Sequence, residues 1–252
     1  MEWKHIGWRR SRVNIAILLA GGMGTRMGTN TPKQHLIVAK HQVIEYTLTS
    51  FCYNEAIDSV MVVSNPEYIE EVSKFKAEFG KLKWVVPGGT TRIHSVYNAI
   101  KTIDDSGCNV NKVVIHDAVR PCVTFSEVRE VLQKLDKFVA VTTCVDLYES
   151  VLKVVNNTIE EIIPKDCLVR QTSPEGFRYE ILKKLYLETP IETIETYKNI
   201  GIDQLIAMGR TVGLVNSNPL NFKITTPADI FFFDTVLKKG FDTILNGDVH
   251  VE

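Results

Sequence analysis

The apolar run from Ile15 to Ala20 ends abruptly in a loop that contains Gly21, Gly22, Gly24 and Gly28. An uninterrupted apolar run of this kind is typical of a strand that is buried on both faces, as in a parallel sheet covered by helices. Glycine permits positive φ and lets the backbone approach a ligand closely, so inward-facing N–H groups in such a loop can form an anion site. The stretch therefore predicts a core strand that leads into a phosphate-binding loop.

Two cationic residues, Arg26 and Lys33, accompany these glycines. The loop is not a P-loop, because it lacks the Lys-Ser/Thr pair of that motif. It also departs from the dinucleotide fingerprint, whose third glycine would fall at Met27 rather than at Gly28. A loop that served only as a turn would not need fixed positive charge beside it. The stretch instead resembles the signature of nucleotidyltransferases that bind a nucleoside triphosphate.

Length and composition exclude several classes of protein. The 252 residues suffice for one large α/β domain, and 29 basic residues against 30 acidic ones leave no basic field for a nucleic-acid partner. The five cysteines include no C-x-x-C pair, which argues against a disulfide framework or zinc site and is typical of the reducing cytoplasm. Residues 1–13 lack the apolar run of a signal peptide, and no segment reaches the roughly 18 apolar residues of a membrane span. We therefore expect a cytoplasmic protein with an N-terminal extension and no membrane partner.

Strand patterns alternate with helix patterns through the first half of the chain. Strands are predicted at 59–64, 83–86 and 112–116, and helices at 41–54, 66–79, 92–103 and 126–138. This alternation is typical of a parallel sheet that helices cover on both faces. We predict an α/β fold with a doubly wound, mostly parallel, Rossmann-like sheet.

A second glycine motif, at residues 88–96, opens the helix predicted at 92–103. Gly89, Arg92 and Ser95 bring N–H groups, a cation and a hydroxyl to the N-terminus of that helix, which favours anionic or polar ligand groups. The alternative is a simple turn in which Thr91 caps the helix.

Asp117 and Arg120 directly follow the strand predicted at 112–116. In open parallel sheets, ligands bind outside the carboxyl ends of the strands, so both side chains are expected in the same crevice as the first loop. A carboxylate beside a triphosphate suits Mg²⁺, which accepts one or two carboxylates together with phosphate oxygens and water. The alternative is that Asp117 caps the following turn and pairs with Arg120.

A hairpin pattern breaks the alternation in the second half of the chain. Residues 149–155 and 158–163 alternate around Asn156-Asn157, which predicts a β-hairpin with a tight turn. Projecting hairpins commonly pack on a symmetry mate, so we predict a homodimer through an arm at about 146–165. Beyond the arm we predict a turn at 173–176, helices at 177–187 and 200–208, a polar connection at 189–196, a strand at 211–215, a Phe-rich core helix at 228–238 and a C-terminal tail at 241–252.

Four motifs follow one another along the chain: L-A-G-G-x-G-x-R-M-G with P-K-Q at 19–34, G-G-x-x-R-x-x-S-V at 88–96, H-D-A-x-R-P at 116–121 and N-x-K-x-T-x-P-x-D at 221–229. The set resembles the 2-C-methyl-D-erythritol 4-phosphate cytidylyltransferases and their relatives, the ribitol-5-phosphate cytidylyltransferases. The resemblance covers nearly all of the chain from residue 14 on. It implies a nucleotidyltransferase domain over residues 14–240.

The resemblance implies transfer of CMP from CTP to a small phosphorylated polyol, with release of pyrophosphate and with Mg²⁺ as cofactor. It implies that Arg26, Lys33 and Lys223 are catalytic and that Asp117 serves the metal. The residues implied to bind CTP are Ala20, Gly21, Gly22, Gly24, Gly89, Arg92 and Ser95.

The residues implied to bind the acceptor are Arg120, Ser150 and Lys165. The family's Asp-Thr pair on the arm is Glu149-Ser150 here, and Lys165 stands in place of an arginine after the hairpin. Both Ser150 and Lys165 retain groups that bind phosphate, although lysine lacks the bidentate fork of arginine. We expect them to act across a dimer interface.

Two further departures lie on the acceptor side. The family's T-P-Q is Ser173-Pro174-Glu175 here, and its T-D-[DE]-A is replaced by Asn199-Ile200-Gly201-Ile202. The identity of the polyol phosphate therefore stays open, with a surface-polymer precursor favoured over an isoprenoid precursor. Two alternatives also stay open: a nucleotidyltransferase that acts on a sugar phosphate with another nucleoside triphosphate, and a nucleotide-binding module without transfer activity.

Overall fold

A seven-stranded sheet forms the centre of the fold in the computed structural model, which describes residues 12–22, 31–194, 196 and 201–247. The strands are β1 (Val13–Ala20), β2 (Ile37–Val38), β3 (His41–Gln42), β4 (Ser59–Ser64), β5 (Leu82–Pro87), β6 (Val110–Asp117), β7 (Ala140–Asp146), β8 (Val151–Val155), β9 (Thr158–Ile163), β10 (Val169–Arg178) and β11 (Gly213–Asn216). The α-helices are α1 (Val43–Cys52), α2 (Ile69–Lys74), α3 (Arg92–Asp105), α4 (Phe125–Lys134), α5 (Tyr179–Leu187), α6 (Ile191–Ile194), α7 (Ile202–Ala207), α8 (Pro227–Leu237) and α9 (Phe241–Asn246). Within these described ranges, no helix has both the length and the apolar character needed to cross a membrane.

The order of strands in the central sheet is β11-β7-β10-β6-β1-β4-β5. β1 pairs in parallel with β4 and β6, β5 pairs in parallel with β4, and β11 pairs in parallel with β7. Only β10 runs antiparallel to both of its neighbours, β6 and β7, in this sheet. The predicted α/β fold with a mostly parallel sheet is confirmed. Because β1 lies between β4 and β6, the loop that follows it opens at their shared carboxyl edge.

Alternate residues of β1 enter two apolar cores on opposite faces of the sheet. Ile15 and Ile17 belong to the core that α3 and α5 complete, and Ala16 and Leu18 belong to the core that α1 and α4 complete. Since successive residues of a strand point to opposite faces, both faces of β1 are covered. This is the arrangement that the apolar run predicts.

A third apolar cluster joins distant segments at the carboxyl edge of the sheet. It contains Val119 after β6, Ile224 before α8, Phe233 of α8 and Ile244 of α9. The Ile224 N–H also donates to the Val119 carbonyl at 2.9 Å. The cluster thereby fixes Lys223 beside the carboxyl end of β6.

Both ends of the domain differ in detail from the sequence-based boundaries. Most of the predicted N-terminal extension, 1–13, lies outside the described residues, and β1 begins at Val13. The first part of the predicted tail, 241–252, forms α9, whose Ile244 and Leu245 are buried against the rest of the domain. Apolar contacts of these two side chains explain why a short helix forms there.

The turn predicted at 173–176 is wrong, because these residues are buried inside β10. Glu175 pairs with residues of both β6 and β7. Pro174 has no N–H to give to a ladder, and the pairing with β7 changes register between Gln171 and Glu175. Pairing on both sides therefore overrides the turn composition of Ser-Pro-Glu-Gly.

Three further predictions need correction. The segment 66–79 is not one helix but α2 between 3-10 turns at Pro66–Tyr68 and Phe75–Ala77. The polar connection 189–196 contains α6. In the Phe-rich helix α8, Phe233 is buried but Phe231 is 76% exposed, so only one face of α8 is core.

The predicted β-hairpin is confirmed as β8 and β9, which form a separate two-stranded sheet. Asn156 and Asn157 have φ of 49° and 61°, which suits the tight turns that require positive φ at both central residues. Apolar side chains on both strands are exposed, namely Leu152, Val154, Val155, Ile159 and Ile162. Contact of this arm with a second copy stays a prediction.

Candidate active site

A cleft of about 360 Å³ lies at the carboxyl edge of the sheet. It brings together most of the residues that the four motifs predict, namely Ala20, Gly21, Gly22, Lys33, Gly89, Arg92, Ser95, Asp117 and Lys223. The predicted Gly24 and Arg26 lie outside the described residues. Segments far apart in the chain thus converge on one cavity, as the rule for carboxyl ends of parallel strands predicts.

Gln34 ties the first loop to the wall of the cleft. Its Nε2 donates to the carbonyl oxygens of Ala20 at 2.6 Å and Gly22 at 3.1 Å. Neither Gly21 nor Gly22 has a positive φ, and a Cβ at Gly22 would meet no atom of the described residues within 4 Å. These two glycines therefore leave open space at the cleft rather than relieve backbone strain. Gln34 belongs to the P-K-Q motif, but its role is not predictable from the sequence because it depends on these long-range contacts.

Lys33 belongs to a 3-10 turn, Lys33–His35, and its side chain reaches the same cleft. Burial alone would raise the pKa of Asp229, but hydrogen bonds from Thr226 and Thr225 and the charge of Lys33 lower it. The lysine therefore lies within electrostatic range of the capping box that starts α8. The first and the fourth motif meet at this point.

The loop before α3 is held by its own hydroxyls. Thr91 caps α3 by accepting a hydrogen bond from the His94 N–H at 3.1 Å. Ser95 Oγ accepts from the Gly89 N–H at 3.1 Å and donates to the Thr91 carbonyl at 3.0 Å. A Cβ at Gly89 would lie 2.2 Å from the Cβ of His94, so the loop needs glycine there. The turn is capped by Thr91, and it also lines the cleft.

Asp117 is the electrostatic centre of the cleft. Its Oδ1 lies 3.4 Å from Nη2 of Arg92, and its Oδ2 lies 3.3 Å from Nε of Arg120 and 3.0 Å from Nζ of Lys223. Burial alone would raise the pKa of Asp117, but the charges of Arg92, Lys223 and Arg120 hold it well below its usual range. The carboxylate is therefore ionised and holds three cations at one end of the cleft. The predicted pair with Arg120 is present as well.

Few carboxylates in the cleft are available to bind a metal ion. Among the described residues, no group of three or more His, Cys, Asp or Glu side chains could hold a metal, and Asp117 is the only acidic residue of the cleft lining. Both of its oxygens contact cations. This donor set fits Mg²⁺ only as an ion that phosphate oxygens and water largely coordinate.

Glu175 lies behind Arg92 in the interior. Its Oε2 is 4.0 Å from Nη1 of Arg92, and its Oε1 accepts a hydrogen bond from Nε2 of Gln171 at 2.7 Å. Burial raises the pKa of Glu175 to about 7, although the charge of Arg92 opposes this shift. Arg92 therefore has Asp117 on one side and a readily protonated carboxyl on the other.

Glu175→Gln should change how folding stability depends on pH. The carboxyl has a pKa of about 7 in the folded chain against an ordinary 4.5, so between these values the folded state binds more protons than the unfolded state. Wild-type stability should therefore fall as the pH rises through this window, and glutamine cannot ionise. The stability of Glu175→Gln relative to wild type should rise by up to a few kcal/mol between pH 4.5 and 7.5 in urea unfolding.

Glu149→Gln on the exposed arm provides the control for this series. Its stability should follow the wild-type pH curve in parallel. A Glu175→Gln curve that also runs parallel to wild type would contradict the assigned ionisation.

Polar residues beneath the cleft were missed by sequence reasoning. His116, Ser173 and Asn221 are buried and hydrogen-bond to the segment that carries Asp117 and Arg120. Burial lowers the pKa of His116 to about 4, so its ring is neutral at neutral pH. His116 and Asn221 belong to the third and fourth motifs, and this membership was the sequence signal that they contribute to the site.

The predicted acceptor residues do not line this cleft. Arg120 contacts Asp117 but is otherwise held by the Asn221 carbonyl, to which its Nη1 donates at 3.2 Å. Ser150 and Lys165 lie at the base of the arm, where Lys165 Nζ donates to the Tyr148 carbonyl at 2.7 Å. One chain therefore does not bring the arm residues to Asp117.

Comparison with known proteins agrees with the motifs. The sequence model of the IspD family, 2-C-methyl-D-erythritol 4-phosphate cytidylyltransferase, matches residues 14–239. The ribitol-5-phosphate cytidylyltransferase of Lacticaseibacillus paracasei is 32% identical over 231 residues, which cover 89% of this chain and 97% of that protein. The 2-C-methyl-D-erythritol 4-phosphate cytidylyltransferase of Thermobifida fusca is 30% identical over 240 residues, which cover 92% of this chain and 96% of that protein.

The fold also matches solved structures. The 4-diphosphocytidyl-2C-methyl-D-erythritol synthase of Anaerococcus prevotii superposes with a TM-score of 0.76 at 23% identity, covering 90% of this chain and 96% of that one. This likeness supports the fold, and the sequence matches support the family. The chain therefore belongs to the 2-C-methyl-D-erythritol 4-phosphate cytidylyltransferase family of CTP-dependent nucleotidyltransferases.

Proposed function

We propose that this chain transfers CMP from CTP to a small phosphorylated polyol and releases pyrophosphate. The observation that carries the proposal is the presence of Lys33, Arg92 and Lys223 around one cleft, with Asp117 holding two of them. A cleft with this charge suits a triphosphate and a second phosphate better than a neutral ligand.

The reaction forms one bond and breaks one. A phosphate oxygen of the acceptor attacks the α-phosphorus of CTP, and the bond from the α-phosphorus to the oxygen that bridges to the β-phosphate breaks, so pyrophosphate leaves. Negative charge builds at the five-coordinate centre, and Lys33 and Lys223 are the fixed cations proposed to stabilise it. A general base is unnecessary, because the acceptor phosphate is already ionised.

The nucleotide is proposed to lie along the first loop and the loop before α3. Main-chain groups of Ala20 and Gly89 would read cytosine, and Arg92 would contact the nucleotide. The Ser95 hydroxyl is hydrogen-bonded to the Gly89 N–H and the Thr91 carbonyl. Its proposed role is therefore to hold the loop in the shape that fits a pyrimidine. Gly24 and Arg26 stay predictions for the triphosphate.

Mg²⁺ is proposed to arrive with the triphosphate, and Asp117 is the residue that would hold it. When bound, the ion neutralises part of the charge on the phosphate oxygens.

We propose a pentitol phosphate as the preferred acceptor. The Lacticaseibacillus paracasei relative is named for ribitol 5-phosphate. The arm also departs from the family pattern, with Glu149-Ser150 in place of an Asp-Thr pair and Lys165 in place of an arginine. We further propose a homodimer in which Ser150 and Lys165 of the arm reach the cleft of the other copy. The exposed apolar side chains Leu152, Val154 and Ile162 support this contact.

A cytoplasmic location is part of the proposal, because the five cysteines are free.

The proposal is tested by pyrophosphate release with CTP and Mg²⁺ against ribitol 5-phosphate, methylerythritol 4-phosphate, other pentitol and tetritol phosphates and sugar 1-phosphates. A strong response to one polyol phosphate is expected. A response only to sugar phosphates with another nucleoside triphosphate would favour the alternative transferase. Bound CTP without release from any acceptor would favour a binding module.

Lys165→Ala should raise the apparent KM for the polyol phosphate about tenfold or more, since a charged hydrogen bond contributes about 1.5–3 kcal/mol. The KM for CTP should stay within about twofold, because Lys165 lies outside the nucleotide cleft of its own chain. Lys153→Ala, on the same arm, removes an equal charge and should change neither constant. An equal rise in the KM for CTP and for the acceptor in Lys165→Ala would contradict the assignment of Lys165 to the acceptor site.

A further inference from the structure

A buried hydrogen-bonded cluster without an assigned role underlies the cleft. It consists of His116 at the end of β6, Ser173 in β10 and Asn221 before α8, and each is at most 2% exposed. Three separate segments of the chain meet here. None of the three side chains lines the cleft.

The partners of His116 and Ser173 indicate the direction of their hydrogen bonds. Nε2 of His116 lies 2.9 Å from the Arg120 carbonyl, which only accepts, so Nε2 carries the ring proton. Nδ1 of the neutral ring is then an acceptor, and the Ser173 hydroxyl donates a hydrogen bond to it at 3.0 Å. The Ser173 oxygen in turn accepts from the Asp117 N–H at 3.3 Å.

Asn221 completes the cluster from the other side. Its Nδ2 donates to the Ser173 carbonyl at 2.8 Å, and its own carbonyl accepts from Nη1 of Arg120 at 3.2 Å. The cluster therefore holds the Asp117 N–H, the Arg120 carbonyl and the Arg120 guanidinium. Both ends of the turn from Asp117 to Arg120 are fixed by contacts from β10 and from the segment before α8.

We propose that His116 and Ser173 are positioning residues for transfer, a role that rests on the proposed function. They hold the turn so that the Asp117 carboxylate keeps Lys223 at 3.0 Å and Arg120 at 3.3 Å. The neutral, Nε2-protonated ring and the serine hydroxyl link the Arg120 carbonyl to the Asp117 N–H by hydrogen bonds, and we call this chain the relay. A small displacement of reacting groups costs orders of magnitude in rate, so the effect of losing this relay should be seen in kinetics.

The test compares Ser173→Ala, Ser173→Thr and Thr172→Val. Ser173→Ala removes the relay, and Ser173→Thr keeps a hydroxyl. Thr172 is the neighbouring buried residue of β10, and its Oγ1 bonds Oγ1 of Thr143 at 2.8 Å, outside the cluster. Thr172→Val is therefore a matched loss of one buried hydroxyl. If Ser173→Ala does not fold, His116→Gln takes its place, because glutamine can donate to Arg120 but has no acceptor at the Nδ1 position.

Ser173→Ala should lower kcat/KM for the polyol phosphate at least tenfold, whereas Ser173→Thr and Thr172→Val should stay within about threefold of wild type. Nitrogen-15 spectra of the unliganded protein should show the Nε2-protonated ring in wild type, with an Nδ1 signal that moves in Ser173→Ala and returns in Ser173→Thr. An active wild type with equal losses in Ser173→Ala and Thr172→Val, or an Nδ1-protonated ring, would overturn the positioning role. A wild type that transfers CMP to no acceptor would instead overturn the proposed function and this role with it.

Discussion

Lys33→Ala should lower kcat about 100- to 1000-fold, the range seen when one group that stabilises transition-state charge is removed. The lysine is a residue of the first motif that lines the cleft, and its charge lowers the pKa of Asp229 in the capping box of α8. Without it, charge on the five-coordinate phosphorus loses a fixed cation. Pyrophosphate release at saturating CTP and acceptor measures the effect.

Folding should change little in this variant, and thermal unfolding of Lys33→Ala checks this. Lys74→Ala, at the exposed end of α2, removes the same charge from a residue outside the cleft lining and should keep full activity. Lys33→Arg should retain part of the rate, because it keeps the charge but not the shape of an ammonium. A near-normal kcat in Lys33→Ala would remove this residue from the mechanism.

Lys223→Ala should also lower kcat by about 100-fold, because it removes the second cation proposed for the reacting phosphorus. Its Nζ lies 3.0 Å from Oδ2 of Asp117, so the two side chains act as a unit. Asp117 keeps Arg92 and Arg120 as partners in this variant, and the carboxylate therefore stays ionised.

A double-mutant cycle with Asp117→Asn separates the joint role of Lys223 and Asp117 from two independent roles. The double variant should lose much less than the product of the two single losses, since contacting residues are not additive. A Lys223→Ala variant with normal kcat and only a raised KM for CTP would assign this lysine to nucleotide binding instead.

Local patterns predicted the elements that carry the fold. The apolar run of β1, the strand patterns around it and the Asn156-Asn157 turn each depend on a few neighbouring residues, and the structure contains these elements. The site was predictable for a related reason. Each motif follows a strand or precedes a helix, and the carboxyl ends of parallel strands meet at one edge.

Long-range contacts account for what the sequence could not predict. Ser-Pro-Glu-Gly has turn composition, but pairing with β6 and β7 places it inside β10. Gln34 and His116 belong to quoted motifs, yet their roles depend on backbone carbonyls that only the folded chain brings close. Phe231 of α8 is exposed because only one face of that helix packs into the third apolar cluster.

Ser150 and Lys165 lie on the arm rather than in the cleft of their own chain, so their proposed role requires a second copy. Alanine at Ser150 should act like alanine at Lys165, on the acceptor alone.

Transfer of the α-phosphorus is the most direct measurement of the proposed chemistry. The chain should be incubated with Mg²⁺, CTP labelled at the α-phosphorus and each polyol phosphate in turn, ribitol 5-phosphate first, with unlabelled ATP and GTP as competitors. Label should appear in a CDP-polyol in step with unlabelled pyrophosphate, and the competitors should hardly slow it. Label that stays in CTP with every polyol phosphate, while CTP binds, would contradict transfer of CMP by this cleft.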